Sequence, residues 1–197
     1  MINRQSDLKV CGEAGSAAEA LLAIQTLRPD VALVDLTLAS GSGLELIKDL
    51  RVCCPETVLL VLSMHDESTY AERALRAGAR GYVMKREATK KVISALRQVL
   101  DGGIFVSDSF ARAMTEKQID FHTPQTGSLI NILSDRELQV FEMLGAGAET
   151  REIAQSLNIG FKTVQTHCAR MKEKLGVSSL NELMREAIRW VETERPT

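Results

Sequence analysis

Along the first hundred residues, the apolar positions alternate between two rhythms, unbroken runs and helical spacing. VALVDL (31–36) and TVLLVLS (57–63) are continuous apolar runs, as expected of parallel strands buried on both faces. GYVMK (81–85) is a shorter one, and LKVCGEA (8–14) is a fourth strand candidate. Between them lie helical stripes. Ser16 with Glu19 makes a capping box ahead of Ala20, Leu21, Ile24 and Leu27, and Pro29 stops that helix. Leu44, Ile47 and Leu50 mark a second helix ending before Pro55; Tyr70, Ala74, Leu75 and Ala77 mark a third, closed by Gly78. Val92, Ile93, Leu96 and Leu100 mark a fourth, stopped by Gly102 and Gly103. The order βαβαβαβα predicts a doubly wound parallel sheet.

Beyond a helical extension over 107–117, the polar stretch FHTPQTGS (121–128), with a Pro and a Gly, predicts a linker. After it only helical spacing remains. Ser134 and Glu137 open a helix with Leu138, Phe141 and Leu144 inward, and Gly145 and Gly147 end it. Thr150 is the expected cap of a second helix carrying Ile153, Ala154 and Leu157, and Asn158 and Gly160 supply a tight turn. A third helix buries Val164, Cys168, Met171 and Leu175, and Ser179 with Glu182 caps a fourth with Leu183, Met184, Ala187 and Ile188 apolar. The fold class is therefore α/β followed by all-α: 1–116 as one domain, 117–132 as linker, 133–197 as a helix-turn-helix with two supporting helices.

Charge narrows what the second domain does. The chain carries a net charge of -2 over 197 residues, so it has no general attraction for nucleic acid. Residues 134–197 hold nine Lys/Arg against ten Asp/Glu, yet 162–174 hold four against one, a local +3. That patch lies opposite the buried stripe of the third helix. Gln165 suits bidentate pairing with adenine, and Thr166 and Ala169 suit a thymine methyl. Lys162, Thr163, Arg170 and Lys174 are the expected phosphate contacts, aided by the helix amino terminus. His167, without partner ligands nearby, is expected to pack or touch phosphate. No apolar run approaches the ~20 residues of a membrane helix, and MINRQSDLKV has no signal-peptide core, so a cytoplasmic protein is expected. Cys11, Cys53, Cys54 and Cys168 match no zinc spacing and are expected to be small buried hydrophobes in a reducing compartment.

In an open parallel sheet, ligand chemistry belongs at the carboxyl ends of the strands. Three such ends carry Asp35, Ser63 and Lys85. A carboxylate there can take a phosphoryl group, which a hydroxyl and an ammonium can then hold. A phosphohydrolase of the haloacid dehalogenase type would need a second acid two residues after Asp35, where Thr37 stands.

LSDRE (133–137), EIA (152–154), KTVQTH (162–167) and KLGV (174–177) together resemble the LuxR-type helix-turn-helix of NarL/FixJ response regulators. That resemblance implies a tetrahelical domain dimerising through its fourth helix, at Leu183, Met184, Ala187 and Ile188. VALVDLTLASGSGLELI, LLVLSMHDE and GYVMK resemble the flavodoxin-like receiver domain of two-component regulators. It implies phosphorylation at Asp35, contacts from Ser63 and Lys85, and Tyr82 as an aromatic switch. Its expected partners are promoter DNA, a sensor histidine kinase, a second copy and RNA polymerase. An enzyme is not expected.

The sequence departs from the family at several points. Gly160 stands where Ser or Thr caps the recognition helix, a cost of ~0.3–1 kcal/mol. Ala169 replaces a base-contacting polar or basic side chain, and Ala39 a loop proline. The usual first strand with its pair of acids, and the helix after it, have no counterpart before 8–14. The family's Mg²⁺ would be left with Asp35 and a carbonyl near Thr37, too few ligands for an octahedral ion. A start assigned too late, a truncated regulator with re-paired strands, and completion by a partner chain are the three accounts of that departure. The second reading of function is accordingly a phosphorylation-independent DNA-binding regulator or interaction module.

Overall fold

The computed structural model describes residues 1–38, 42–119 and 129–194. The chain divides into two compact units, Met1–His122 and Thr123–Thr197. In the first, β1 (Val31–Val34), β2 (Val58–Ser63) and β3 (Gly81–Met84) form a parallel sheet in the order β1-β2-β3. Register is continuous, with Val31 opposite Val58 and Leu60 opposite Gly81. The connecting helices are α1 (Ala17–Leu27), α2 (Gly43–Cys53), α3 (Glu67–Ala77) and α4 (Ala88–Leu100), followed by α5 (Asp108–Ile119). Leu60 and Val83 pack on Val92, Ala95, Leu96 and Val99 of α4. Leu59 and Val61 point to the opposite face by the strand's period of two and are equally buried.

One predicted strand does not form. Residues 8–14 run without regular structure, and among the described residues no backbone–backbone hydrogen bond joins them to another segment. A strand needs a neighbour for its N–H and C=O groups, and among the described residues β1 is paired only with β2. The cysteines also differ from expectation. Cys168 is buried, but Cys11 and Cys53 are exposed and Cys54 half-buried, because Cys11 lies in that unpaired stretch and Cys53 and Cys54 at the end of α2.

In the second unit, a 3-10 turn (Leu129–Ile132) precedes α6 (Asp135–Gly145), α7 (Thr150–Ser156), α8 (Phe161–Leu175) and α9 (Leu180–Glu194). Of the expected linker, 117–119 extend α5 and Leu129–Ile132 are helical; 120–128 lie outside the described residues, as does Ala39. The capping box of Ser134 and Glu137 is present. The second helix is capped by Glu149, paired with Glu152, and not by Thr150, which begins the helix. Gly145 lets α6 approach α9 closely: a Cβ there would lie 2.5 Å from the Ala187 carbonyl oxygen and 2.6 Å from Val191 Cγ2.

Candidate phosphoacceptor site and recognition helix

At the carboxyl edge of the sheet, the fold brings together the three strand ends singled out in the sequence. Lys85 Nζ donates to Asp35 Oδ2 at 2.5 Å, and Asp35 Oδ1 accepts from the Thr37 N–H at 3.1 Å. Asp35 stays partly open, its side chain 27% exposed. Ser63 is fully buried, and its Oγ accepts the His65 N–H at 3.1 Å. Tyr82 is buried, and its hydroxyl donates to the His65 carbonyl oxygen at 2.9 Å. The buried Tyr82 ring is therefore held by a backbone carbonyl.

Two contributors escaped the sequence reading. His65 ties the site together, since its Nε2 lies 3.0 Å from Thr37 Oγ1 and its ring 4.6 Å from that of Tyr70. Its place two residues past the end of β2 was the available signal. Gly43 is the other, because its N–H donates to the Leu36 carbonyl and a Cβ there would overlap the Asp35 carbonyl oxygen. Glycine at that position lets α2 start directly against the acceptor strand.

The donors do not make a magnesium site. Asp35 and Thr37 were the expected ligands, but both Asp35 oxygens have partners, and His65 offers a nitrogen to an ion that takes oxygen ligands. Among the described residues, no group of three His, Cys, Asp or Glu side chains could hold a metal ion.

On α8 the division of faces follows the sequence pattern. Val164, Cys168 and Met171 are buried, while Lys162, Thr163, Gln165, Thr166, Ala169 and Arg170 are exposed. Phe161, exposed at the first helical position, extends that surface. Gly160 occupies the N-cap and provides no side-chain cap. The Thr166 hydroxyl donates to the Lys162 carbonyl, so its polar group is already engaged within the helix.

Lys174, one of the expected phosphate contacts, is engaged within the domain. Its Nζ donates to Glu137 Oε2 at 2.6 Å, and Glu137 is only 2% exposed. The same Oε2 accepts the Ser134 N–H at 2.7 Å. Burial pushes the Glu137 carboxyl up, but the hydrogen bonds with Lys174 and Ser134 outweigh it and hold it below its ordinary value. Lys174 thus clamps α8 to the start of α6.

The expected dimerisation stripe also divides. Leu183 and Ala187 are fully buried within the unit, where α9 packs on α6, so they belong to the core. Ile188, 38% exposed, and Leu180, 40% exposed, stay open, with Met184 half-buried between them. Positions four apart share a helix face, so these three form the remaining apolar stripe.

Comparison with known proteins agrees with both units. Residues 1–97 match the response regulator receiver domain, and residues 131–187 match the bacterial regulatory proteins of the luxR family. The chain is 32% identical over 193 residues to the oxygen regulatory protein NreC of Staphylococcus aureus strain MRSA252, covering 96% of this chain and 89% of that one. A LuxR-family two-component response regulator from Aurantimonas has a similar structure (30% identity, TM-score 0.55), covering 60% of this chain and 85% of that chain. The RcsB response regulator of Salmonella typhimurium shares the fold at 23% identity and TM-score 0.65, over 95% of this chain and 88% of that chain. RcsB is also known bound to the rprA promoter in the presence of phosphomimetic BeF3-, with a TM-score of 0.59, 23% identity and coverage of 93% and 87%.

Proposed function

The chain belongs to the NarL/FixJ response regulators, DNA-binding transcription regulators of two-component systems, and from that premise we propose that Asp35 is its phosphoacceptor and α8 its base-reading helix. The observation that carries the reading is the convergence of Asp35, Lys85 and the Ser63–His65–Tyr82 chain of hydrogen bonds at one sheet edge. An Asp35 oxygen attacks the phosphorus of a kinase phosphohistidine, the P–N bond breaks, and the imidazole leaves with a proton. Lys85, already at the carboxylate, would hold the added charge.

Partners then follow by chemistry: a sensor histidine kinase, duplex promoter DNA, a second copy through Leu180, Met184 and Ile188, and RNA polymerase. The role is regulatory and not enzymatic, with phosphate acting as signal. No helix among the described residues is long and apolar enough to cross a membrane, and the proposed site of action is the cytoplasm.

The receiver family generally binds Mg²⁺, and this chain's donor set does not fit it. That mismatch favours a second reading, a regulator that binds DNA without being phosphorylated.

Gel-shift titration against promoter fragments tests the DNA assignment. Lys162→Ala and Arg170→Ala should each weaken binding to all sequences and flatten the salt dependence by about one phosphate. Gln165→Ala should relax base preference, costing ~1–3 kcal/mol at the preferred site. Unchanged affinity and salt slope in all three would remove α8 from the interface.

Ile188→Glu should abolish dimers in sedimentation while leaving the melting midpoint nearly unchanged. Ala187→Glu should instead unfold the domain, because it places a charge where α9 meets α6. Equal effects of the two would contradict the split assigned to α9.

A further inference from the structure

We infer that the adjacent thiols of Cys53 and Cys54 form a two-sulfur binding site for trivalent arsenicals, chelating one arsenic atom between them. Their Sγ atoms lie 3.5 Å apart and share a hydrogen bond. On a continuing helix neighbouring side chains diverge, because successive residues do not share a face. Here the helix stops between them. Cys53 is the last residue of α2, and Cys54 is its C-cap at φ -137° and ψ 60°, outside helical geometry. Hydrogen bonds fix that turn. Cys54 N–H donates to the Leu50 carbonyl, Thr57 N–H to the Cys54 carbonyl, and the Arg51 guanidinium to the Pro55 carbonyl. The pair is thus in place before any ligand arrives, and it is reachable, with Cys53 exposed and Cys54 half-buried.

Geometry selects the ligand. A direct disulfide is strained, since consecutive Cα atoms lie about 3.8 Å apart and a bridge takes roughly 4.4–6.8 Å. A shared third atom relieves that strain. With bonds of about 2.3 Å, as thiolates make to zinc, sulfurs 3.5 Å apart subtend about 100° at the bridging atom. That is a pyramidal angle, as at three-coordinate arsenic, and narrower than a tetrahedral one. A linear two-coordinate ion would hold the sulfurs about 4.6 Å apart by the same bond length. Zinc takes four ligands, and among the described residues no third His, Cys, Asp or Glu joins the pair to hold a metal. Arsenic(III) is complete with two protein sulfurs and one substituent of its own, and soft sulfur suits it. The condensation with an arsonous acid needs no oxidant. Two S–H and two As–O bonds break, two As–S bonds form, and two waters leave with the thiol protons, arsenic staying trivalent. The thiols enter protonated, which suits Cys54, pushed up by partial burial and by the hydrogen bond with Cys53. Because α2 starts against the acceptor strand and ends at the opposite edge of the sheet, the site is separate from Asp35.

The probe is phenylarsine oxide, added in equimolar amount to the reduced full chain under a large excess of 2-mercaptoethanol. A single protein thiol loses that competition, whereas two on one chain act at high effective concentration and win it. Intact-mass spectrometry should show one phenylarsenic group per chain, mapped to the peptide that holds both cysteines and removed by a free dithiol. Cys53→Ser and Cys54→Ser should each retain it at least about a hundredfold less. Cys11→Ser, Cys168→Ser and Asp35→Asn should retain it as the wild type does. No adduct surviving the monothiol would overturn the proposal. So would equal retention by either Cys53→Ser or Cys54→Ser, or an adduct mapped to Cys11 or Cys168.

Discussion

Replacing Lys174 with alanine should destabilise the DNA-binding unit by about 3–5 kcal/mol, the cost of leaving a buried charge without its partner. The carboxylate that loses its partner is the point: Glu137 is 3% exposed at its side chain, whereas Lys174 is 38% exposed and already reaches water. Removing the lysine therefore strands the buried charge, while removing the glutamate strands a charge that can be solvated. Glu137→Gln, which can keep the bond to the Ser134 N–H, should cost less, roughly 1–2 kcal/mol. Combining Glu137→Gln with Lys174→Met should recover most of the loss. Trp190, the only tryptophan, packs 6.0 Å from Phe141 within this unit, so its fluorescence in a urea titration reports the second unit alone. In a thermal melt followed by the same fluorescence, each kcal/mol shifts the midpoint by about 4–8 °C in a domain this small. The ion pair also sets a pH dependence. A carboxyl held below its ordinary value stabilises fully above the unfolded pKa, about 4.3, and that contribution is lost as pH falls through the folded value. Acid should thus cost the wild-type domain stability that Glu137→Gln does not lose. A Lys174→Ala protein of unchanged stability but altered DNA salt slope would return this residue to the phosphate contacts.

Incubated with acetyl phosphate and Mg²⁺, the chain alone should take up phosphate at Asp35 at least about a hundredfold more slowly than a receiver with a full acidic metal site. A metal ion contributes several kcal/mol by neutralising the transferred group, and each 1.36 kcal/mol is a factor of ten. Among the described residues, Lys85 is the one cation bonded to Asp35, and no acidic cluster could hold the ion. Intact-mass spectrometry with Asp35→Asn as control measures the uptake, and rapid stoichiometric modification at Asp35 would refute the expectation. Gel shifts of wild type, Asp35→Asn and Asp35→Glu then divide the two functional readings. Phosphate control requires unequal affinities, since a nearly complete switch needs ~5.5 kcal/mol of differential stabilisation. Three equal affinities would favour the phosphorylation-independent regulator.

Much of this was legible from local pattern. The unbroken runs VALV, VLLVLS and GYVM became β1, β2 and β3, and Leu44, Ile47 and Leu50 are buried as their spacing implied. The exposed set on α8 also follows from the helical period, because a surface helix must hide one stripe and show the other. LKVCGEA misled because its composition suits a strand, but strand formation is a property of pairs. Leu183 and Ala187 misled for a related reason: an apolar face does not say whether it meets its own domain or another.

By itself, the sequence determined the helices and three of the four expected strands, where caps such as Ser134 stand, and which strand ends carry Asp35, Ser63 and Lys85. These depend on residues a few positions apart, whose geometry the backbone period fixes. Only the tertiary structure decided that His65 links Ser63 to Tyr82, that Lys174 belongs to Glu137, and that α9 splits between core and surface. Those outcomes depend on which distant segments come within hydrogen-bond or packing range, and no spacing along the chain encodes that distance.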